Sequence, residues 1–201
     1  MRQSAVVWGA LAMARLLCAQ QAPSSPDPGN TAAASRPAPA YTPPTHAERF
    51  QTYLRHTYGV GSFFEAAARA GIDQALNRPS QWPQGAEGYA ERFGSAMGLI
   101  AVRGTTDYAL GELFKEDLRW TRRDPHCSPF KAAFEDTFTA RKGVDGHRAV
   151  SVARLIGPIS GTLVASTWRP GGFGGRRDTV GGIGITYGLV YIRNLFREVV
   201  R

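Results

Sequence analysis

Apolar and polar positions divide the chain into a leader, a tether and a folded domain. The leader opens on Met1 and Arg2, runs through the apolar segment Ala5–Ala14 and continues into Leu16, Leu17, Cys18 and Ala19. A positive start, an apolar middle and a small residue before the cut form the pattern of a secretory signal peptide, here residues 1–19, although Arg15 interrupts the apolar part. Cys18 would be the acylated residue of a lipoprotein, but Leu16 and Leu17 stand where such a site has small residues. Residues 20–45 have no period: Pro23, Pro26, Pro28, Pro37, Pro39, Pro43 and Pro44 are set among Ala, Ser and Thr. That composition buries too little apolar surface to offset its ordering entropy, and it predicts a disordered Pro/Ala-rich tether. Residues 46–201 carry the folded domain.

Within that domain the dominant spacing is helical. Thr45 with Glu48 makes a capping box for a helix to about Tyr58, with Phe50, Tyr53 and Leu54 on one face. Ser62 with Glu65 predicts a second box and a helix to Asn77, along which Glu65, Arg69 and Asp73 stand four apart, the spacing of surface ion pairs. A long helical pattern follows from Gln84 to Leu118. Ser128 and Pro129 predict a helix to Lys142, Asp145 caps another to Thr167, and Asp178 caps the last, from Thr179 onward. Ile183, Ile185, Tyr187, Leu189 and Tyr191 alternate with smaller residues as a strand would. The segment is read as helix because one such strand closes no barrel. The expectation is a mainly α fold: a glycine-rich, closely packed bundle of about six helices.

Small residues recur at helical spacing. Ala149, Ala153, Gly157, Gly161 and Ala165 lie four apart, as do Ala67, Gly71 and Ala75, then Ala90, Gly94 and Gly98, then Gly184 and Gly188. Each helical glycine costs about 1 kcal/mol relative to alanine, so the repetition predicts helices whose backbones approach closely. Two windows approach the about 20 apolar residues of a membrane span: Ala149–Trp168, which contains Arg154, and Thr179–Phe196, which contains Arg193. They predict either an inserted hairpin, its arginines snorkelling to headgroups, or a domain lying on the membrane surface. Arg169, Arg176 and Arg177 flank the windows and suit anionic lipid. The small-residue faces would also suit a protein partner or a second copy.

Charge and cysteine content change this picture less than they first suggest. The chain has 24 Lys+Arg against 16 Asp+Glu, a net +8 that would fit a nucleic-acid binder. Removing leader and tether leaves 21 basic and 15 acidic residues on a domain that, once exported, does not meet nucleic acid. Of the two cysteines only Cys127 survives cleavage, so no internal disulfide forms. Asp124, His126 and Cys127 in one loop, with Asp145 and His147 in another, repeat a D-x-H pattern whose side chains are competent metal ligands. Cys127, His147 and Asp145 form a weaker candidate, a nucleophilic set, and the plainer reading of all five is capping and turn chemistry. The loop Gly171–Arg177 lacks the Lys and Ser/Thr of a phosphate cradle, and no cofactor is expected.

The run Gln84–Gly94, the hexapeptide Lys115–Trp120, the pair Asp145–Gly146 and the exit Ser166–Pro170 together resemble exported bacterial proteins of unknown function from acidobacteria-like genomes. Such proteins often carry H-E-D-P-R-Y where this chain has Lys115–Trp120. The resemblance implies an exported, mainly helical envelope domain and brings no catalytic residues with it. The functional expectation is a non-catalytic envelope protein that acts by helix packing and membrane contact. A small metal-dependent or hydrolytic enzyme built on Asp124, His126, Asp145 and His147 is the alternative, and a soluble periplasmic binding module a further one.

Overall fold

The computed structural model describes residues 41–120, 128–171 and 176–200. It is mainly helical with a small antiparallel sheet. Helix α1 (His46–Tyr58) begins with the expected box: Glu48 N–H donates to Thr45 Oγ1 at 3.3 Å and Thr45 N–H donates to the Glu48 carboxylate at 2.8 Å. It breaks at Gly59, where a Cβ would collide with the Arg55 carbonyl, and α2 (Val60–Ala75) starts at once. The second expected box does not form. Ser62 lies inside α2 and donates to the His56 carbonyl at 2.5 Å, while the Glu65 carboxylate is taken by arginines of other helices.

Helix α3 (Ala86–Leu113) is the axis of the domain, 28 residues or about 42 Å long. α1, α2 and the later helix α5 (Val152–Ala165) all pack on it. It stops short of the expected Leu118 because Lys115 turns the chain at φ +52°, and Glu116–Asp117 then form strand β1. The expected helices on either side of Gly143 are likewise shorter. Helix α4 (Pro129–Phe138) gives way to β2 (Thr139–Lys142), which pairs with β3 (His147–Val150), Thr139 facing Val150 and Lys142 facing His147. Gly143 and Gly146 adopt φ +72° and +64°, left-handed positions that fold the connection into a tight turn. Ala149 therefore belongs to a strand, and Asp145 caps no helix; Ser151 does, accepting the Arg154 N–H at 3.1 Å. Helix α6 (Arg176–Val199) carries the segment with strand-like alternation and packs on α4, α5 and α2.

Two buried knots hold these elements in place. Glu116, 1% exposed, accepts from Ser151 Oγ, from the Val152 and Ala153 N–H groups at 2.8 and 3.2 Å, and from Lys142 Nζ at 2.9 Å. A carboxylate thus closes the N-terminus of α5 and ties it to the sheet. Arg92, 0% exposed, uses all five guanidinium donors. Nε reaches the Arg78 carbonyl (3.0 Å), Nη1 reaches Gln74 Oε1 (2.7 Å) and the Pro83 carbonyl (2.8 Å), and Nη2 reaches the Pro79 and Trp82 carbonyls (3.2 Å each). The loop between α2 and α3 is wrapped around this one side chain, which also lies over the Trp82 ring at 5.9 Å.

Polarity is inverted across much of the domain. Among the described residues ten apolar residues are buried and eight are alanine, the exceptions being Leu99 and Ile100. Seventeen polar or charged residues are buried beside them, while 24 large apolar side chains are exposed. The inversion follows helix faces. α2 turns Ser62, Glu65, Arg69 and Asp73 inward and Val60, Phe63 and Phe64 outward; α5 turns Ala153, Gly157, Gly161 and Ala165 inward and Ile156, Ile159, Leu163 and Val164 outward. On α6, Gly182, Thr186 and Asn194 are buried and Val180, Ile192 and Phe196 exposed. The charges at Glu65, Arg69 and Asp73, expected on a solvated face, are interior.

Candidate functional site: an arginine-lined cleft

Inward-facing charged residues of α1, α3, α5 and α6 line a cleft between α1, the C-terminal half of α3, α5 and α6. It leaves about 90 Å³ for the centres of water-sized molecules, room for several by the about 10–15 Å³ that one water requires. Tyr53, Tyr108 and Trp120 are among its lining residues, with Arg103, Asp107, Arg154, Arg193 and His56. Glycine makes space for the polar groups inside it: a Cβ on Gly157 would strike the Asp107 carboxylate, and one on Gly104 would strike the Thr57 hydroxyl.

Arg103 forks onto Glu65, Nη1 on Oε1 and Nη2 on Oε2 at 3.1 Å, and Arg193 Nη1 shares the same Oε2 at 3.0 Å. Burial alone would raise the Glu65 carboxyl, but Arg103 and Arg193 overcome it and hold Glu65 down to about 2. Arg154 directs its guanidinium at the Asp136, Thr139 (2.8 Å) and Leu118 (3.3 Å) carbonyls. Burial lowers both Arg154 and Arg193 to about 10, so each stays charged at neutral pH. Asp107 goes the other way: burial lifts its carboxyl to about 7 although Arg103, Arg154 and Arg193 all pull it down. His56 is pressed down to about 3, by burial first and then by Arg193, Arg197 and Arg154. Several polar atoms here are buried without a hydrogen-bond partner, namely Thr57 Oγ1, Asp107 Oδ1, Glu112 Oε1 and Arg193 Nε. Buried polar groups are nearly always paired, and the cleft has room for waters or another partner to meet these atoms.

The residues singled out from sequence fall mostly elsewhere. Asp145 and His147 sit together on the β2–β3 turn, His147 Nδ1 at 3.1 Å from Asp145 Oδ1, both exposed. Asp124, His126 and Cys127 lie outside the described residues, among which no group of three metal-ligating side chains occurs. In the small-residue ladders, Ala153, Gly157, Gly161 and Ala165 face α3; at Gly161 a Cβ would lie 2.9 Å from the Leu99 carbonyl, a true close approach of backbones. Gly98 makes room for the Trp168 ring, at 3.2 Å from where its Cβ would be. Gly94, Gly184 and Gly188 are exposed with nothing within 4 Å of that position, so they bring no helices together. Arg169 is turned inward, on Asp73 and over the Trp82 ring at 5.7 Å, rather than toward a surface anion. Arg176 and Arg177 begin α6, and their side chains lie outside the description.

Sequence reasoning passed over Arg103 and Asp107 and read Arg154 and Arg193 as snorkelling ends of apolar windows. The available signal was the four ionisable residues set inside otherwise apolar helical segments, since such residues face a bundle interior and mark function. The Ala149–Trp168 window is helical only over Val152–Ala165, about 21 Å, and no helix of the described residues is long and apolar enough to cross a membrane. No protein-family model matches the chain, and no curated protein or solved structure is significantly similar to it.

Proposed function

We propose that this is an exported protein of the bacterial cell envelope whose helical domain seats its outward apolar faces in one leaflet of a membrane and works by binding there rather than by catalysis. The observation that supports the reading is the inverted polarity: charged residues inside, Phe63, Phe64, Ile159, Leu163 and Phe196 outside. In water that arrangement exposes apolar surface while burying ions, both unfavourable; with lipid around it both terms change sign or shrink. Lipid fits better than a single protein partner. α2 and α5 both pack on α3 and turn their apolar faces away from it, so the apolar surface belongs to several helices and not to one patch. α2 and α5, of 16 and 14 residues, are shorter than the about 30 Å apolar core of a bilayer, which favours a seat in the interface over a spanning hairpin.

Fractionation of the full-length tagged protein tests this. Retention in the envelope fraction through high-salt washing and release by detergent is the expected result. Recovery as a monodisperse monomer in buffer without detergent overturns it. In the double variant Phe64→Ser/Phe196→Ser, protein should move to the soluble fraction with no loss of fold, because those side chains are 73% and 64% exposed and are not part of a core.

A further inference from the structure

The cleft holds more positive charge than its carboxylates answer. Of the lining carboxylates, Glu116 is met by Lys142 at 2.9 Å and Asp136 by Arg148 at 2.7 Å, both cations that come from outside the cleft, Asp117 is met by Arg119 at 2.9 Å and Glu112 by Arg49 at 3.8 Å, which leaves Asp107. Arg103 and Arg193 share the single carboxylate of Glu65, and the hydrogen bonds of Arg154 go to neutral carbonyl oxygens. Three guanidiniums from α3, α5 and α6 therefore line the cleft, and among its lining residues Arg193 Nε and the hydroxyl of Thr57, itself 1% exposed, are buried without partners. An anion placed there would complete these donors and answer the excess charge at once.

We propose that the cleft is a binding site for a phosphate group. Arg193 Nε and Thr57 Oγ1 donate to its oxygens, and Arg103 and Arg154 supply the field that holds it. Asp107 sets the pH range. The groups facing it are Arg103 on its own helix, Glu65 on α2, Arg154 on α5, and Arg193 and Tyr187 on α6, with His56 of α1 in the same cleft. Below its value of about 7 the Asp107 carboxyl is neutral and its O–H donates to a phosphate oxygen; above, its charge opposes the anion. Binding therefore weakens as pH rises through that value. A phosphodiester keeps one charge throughout this range, so the effect belongs to the site.

The site does not depend on the membrane reading, and its test is run on the full chain in detergent micelles. Inorganic phosphate and micelle-free dihexanoyl phosphatidylglycerol are titrated by calorimetry against chloride at matched ionic strength. Saturable binding of phosphate alone assigns a free phosphate ligand, and binding of the phosphatidylglycerol with competition by phosphate assigns a lipid headgroup. Saturation by neither overturns the proposal. Arg193→Gln should weaken binding by about tenfold or more, and Thr57→Val, a milder change, by less. With the phosphatidylglycerol, whose charge is constant over this range, Asp107→Asn should flatten the pH dependence and tighten binding on the alkaline side. Unchanged affinity in both Arg193→Gln and Thr57→Val would also overturn the assignment. Envelope retention of Arg193→Gln, measured in parallel, separates failure of this site from failure of the lipid seat.

Discussion

Arg92 and Arg193 show what an inward-turned guanidinium is for in two different regions. Around Arg92 all five donors end on oxygens of one loop and of Gln74, and an aromatic ring covers the plane. The charge has a fixed job, to fold residues 78–83 back onto α3. Around Arg193 one nitrogen reaches Glu65, Nε reaches nothing, and Asp107 and Thr57 nearby carry orphaned oxygens. A region that is fully satisfied gains only rigidity from its arginine; one left incomplete keeps capacity for a ligand.

The contrast is broken most directly at Arg92. Arg92→Ala should destabilise by about 3–5 kcal/mol, because five carbonyl and amide acceptors lose their donors at once, and thermal unfolding in detergent measures it. A small effect would mean the loop holds itself. Gly161→Leu comes next: the added side chain meets the Leu99 carbonyl and Arg103, and overpacking of about 1–3 kcal/mol is expected. Tolerance would show that α3 and α5 can slide apart.

The smallest net effect is that of pH on the wild-type cleft, where two titrations oppose each other. Asp107 is raised from 3.8 to about 7, so its contribution to stability is fully present below 3.8 and is lost as pH rises through 7. His56 is lowered from 6.5 to about 3, so its contribution is present above 6.5 and is lost as pH falls toward 3. Between these limits the two trends offset, and the wild type should melt at nearly constant temperature. His56→Gln should uncover a melting temperature that rises as pH drops below 7, and Asp107→Asn one that falls. Parallel curves for the two variants would show that one of these groups does not titrate as its surroundings imply.

Local chemistry was readable in the sequence where one segment contained its own partner. Thr45 and Glu48 close their box because both ends of the interaction lie within one turn. The Glu65, Arg69 and Asp73 spacing was also readable, but not which way it faced. Spacing fixes which side chains share a face, and only the apolar Phe63 and Phe64 on the opposite side hint that the charges point inward. The β2–β3 hairpin escaped because Gly143 serves equally well as a helix stop, and the left-handed turn appears only once Gly146 is placed beside it. The cleft escaped for a different reason. Glu65, Arg103, Arg154 and Arg193 come from four helices, and nothing local couples them.

Among the described residues, a core of alanine with two large aliphatic side chains also bears on heat. Heat-capacity increments on unfolding track the apolar surface newly exposed to water, ordinarily about 12–15 cal/mol/K per residue. Here many of the large apolar groups among the described residues already face outward, so parting the helices uncovers less new apolar surface. The increment should fall well below that range, leaving a broad, flat stability curve on which cooling weakens the fold very little.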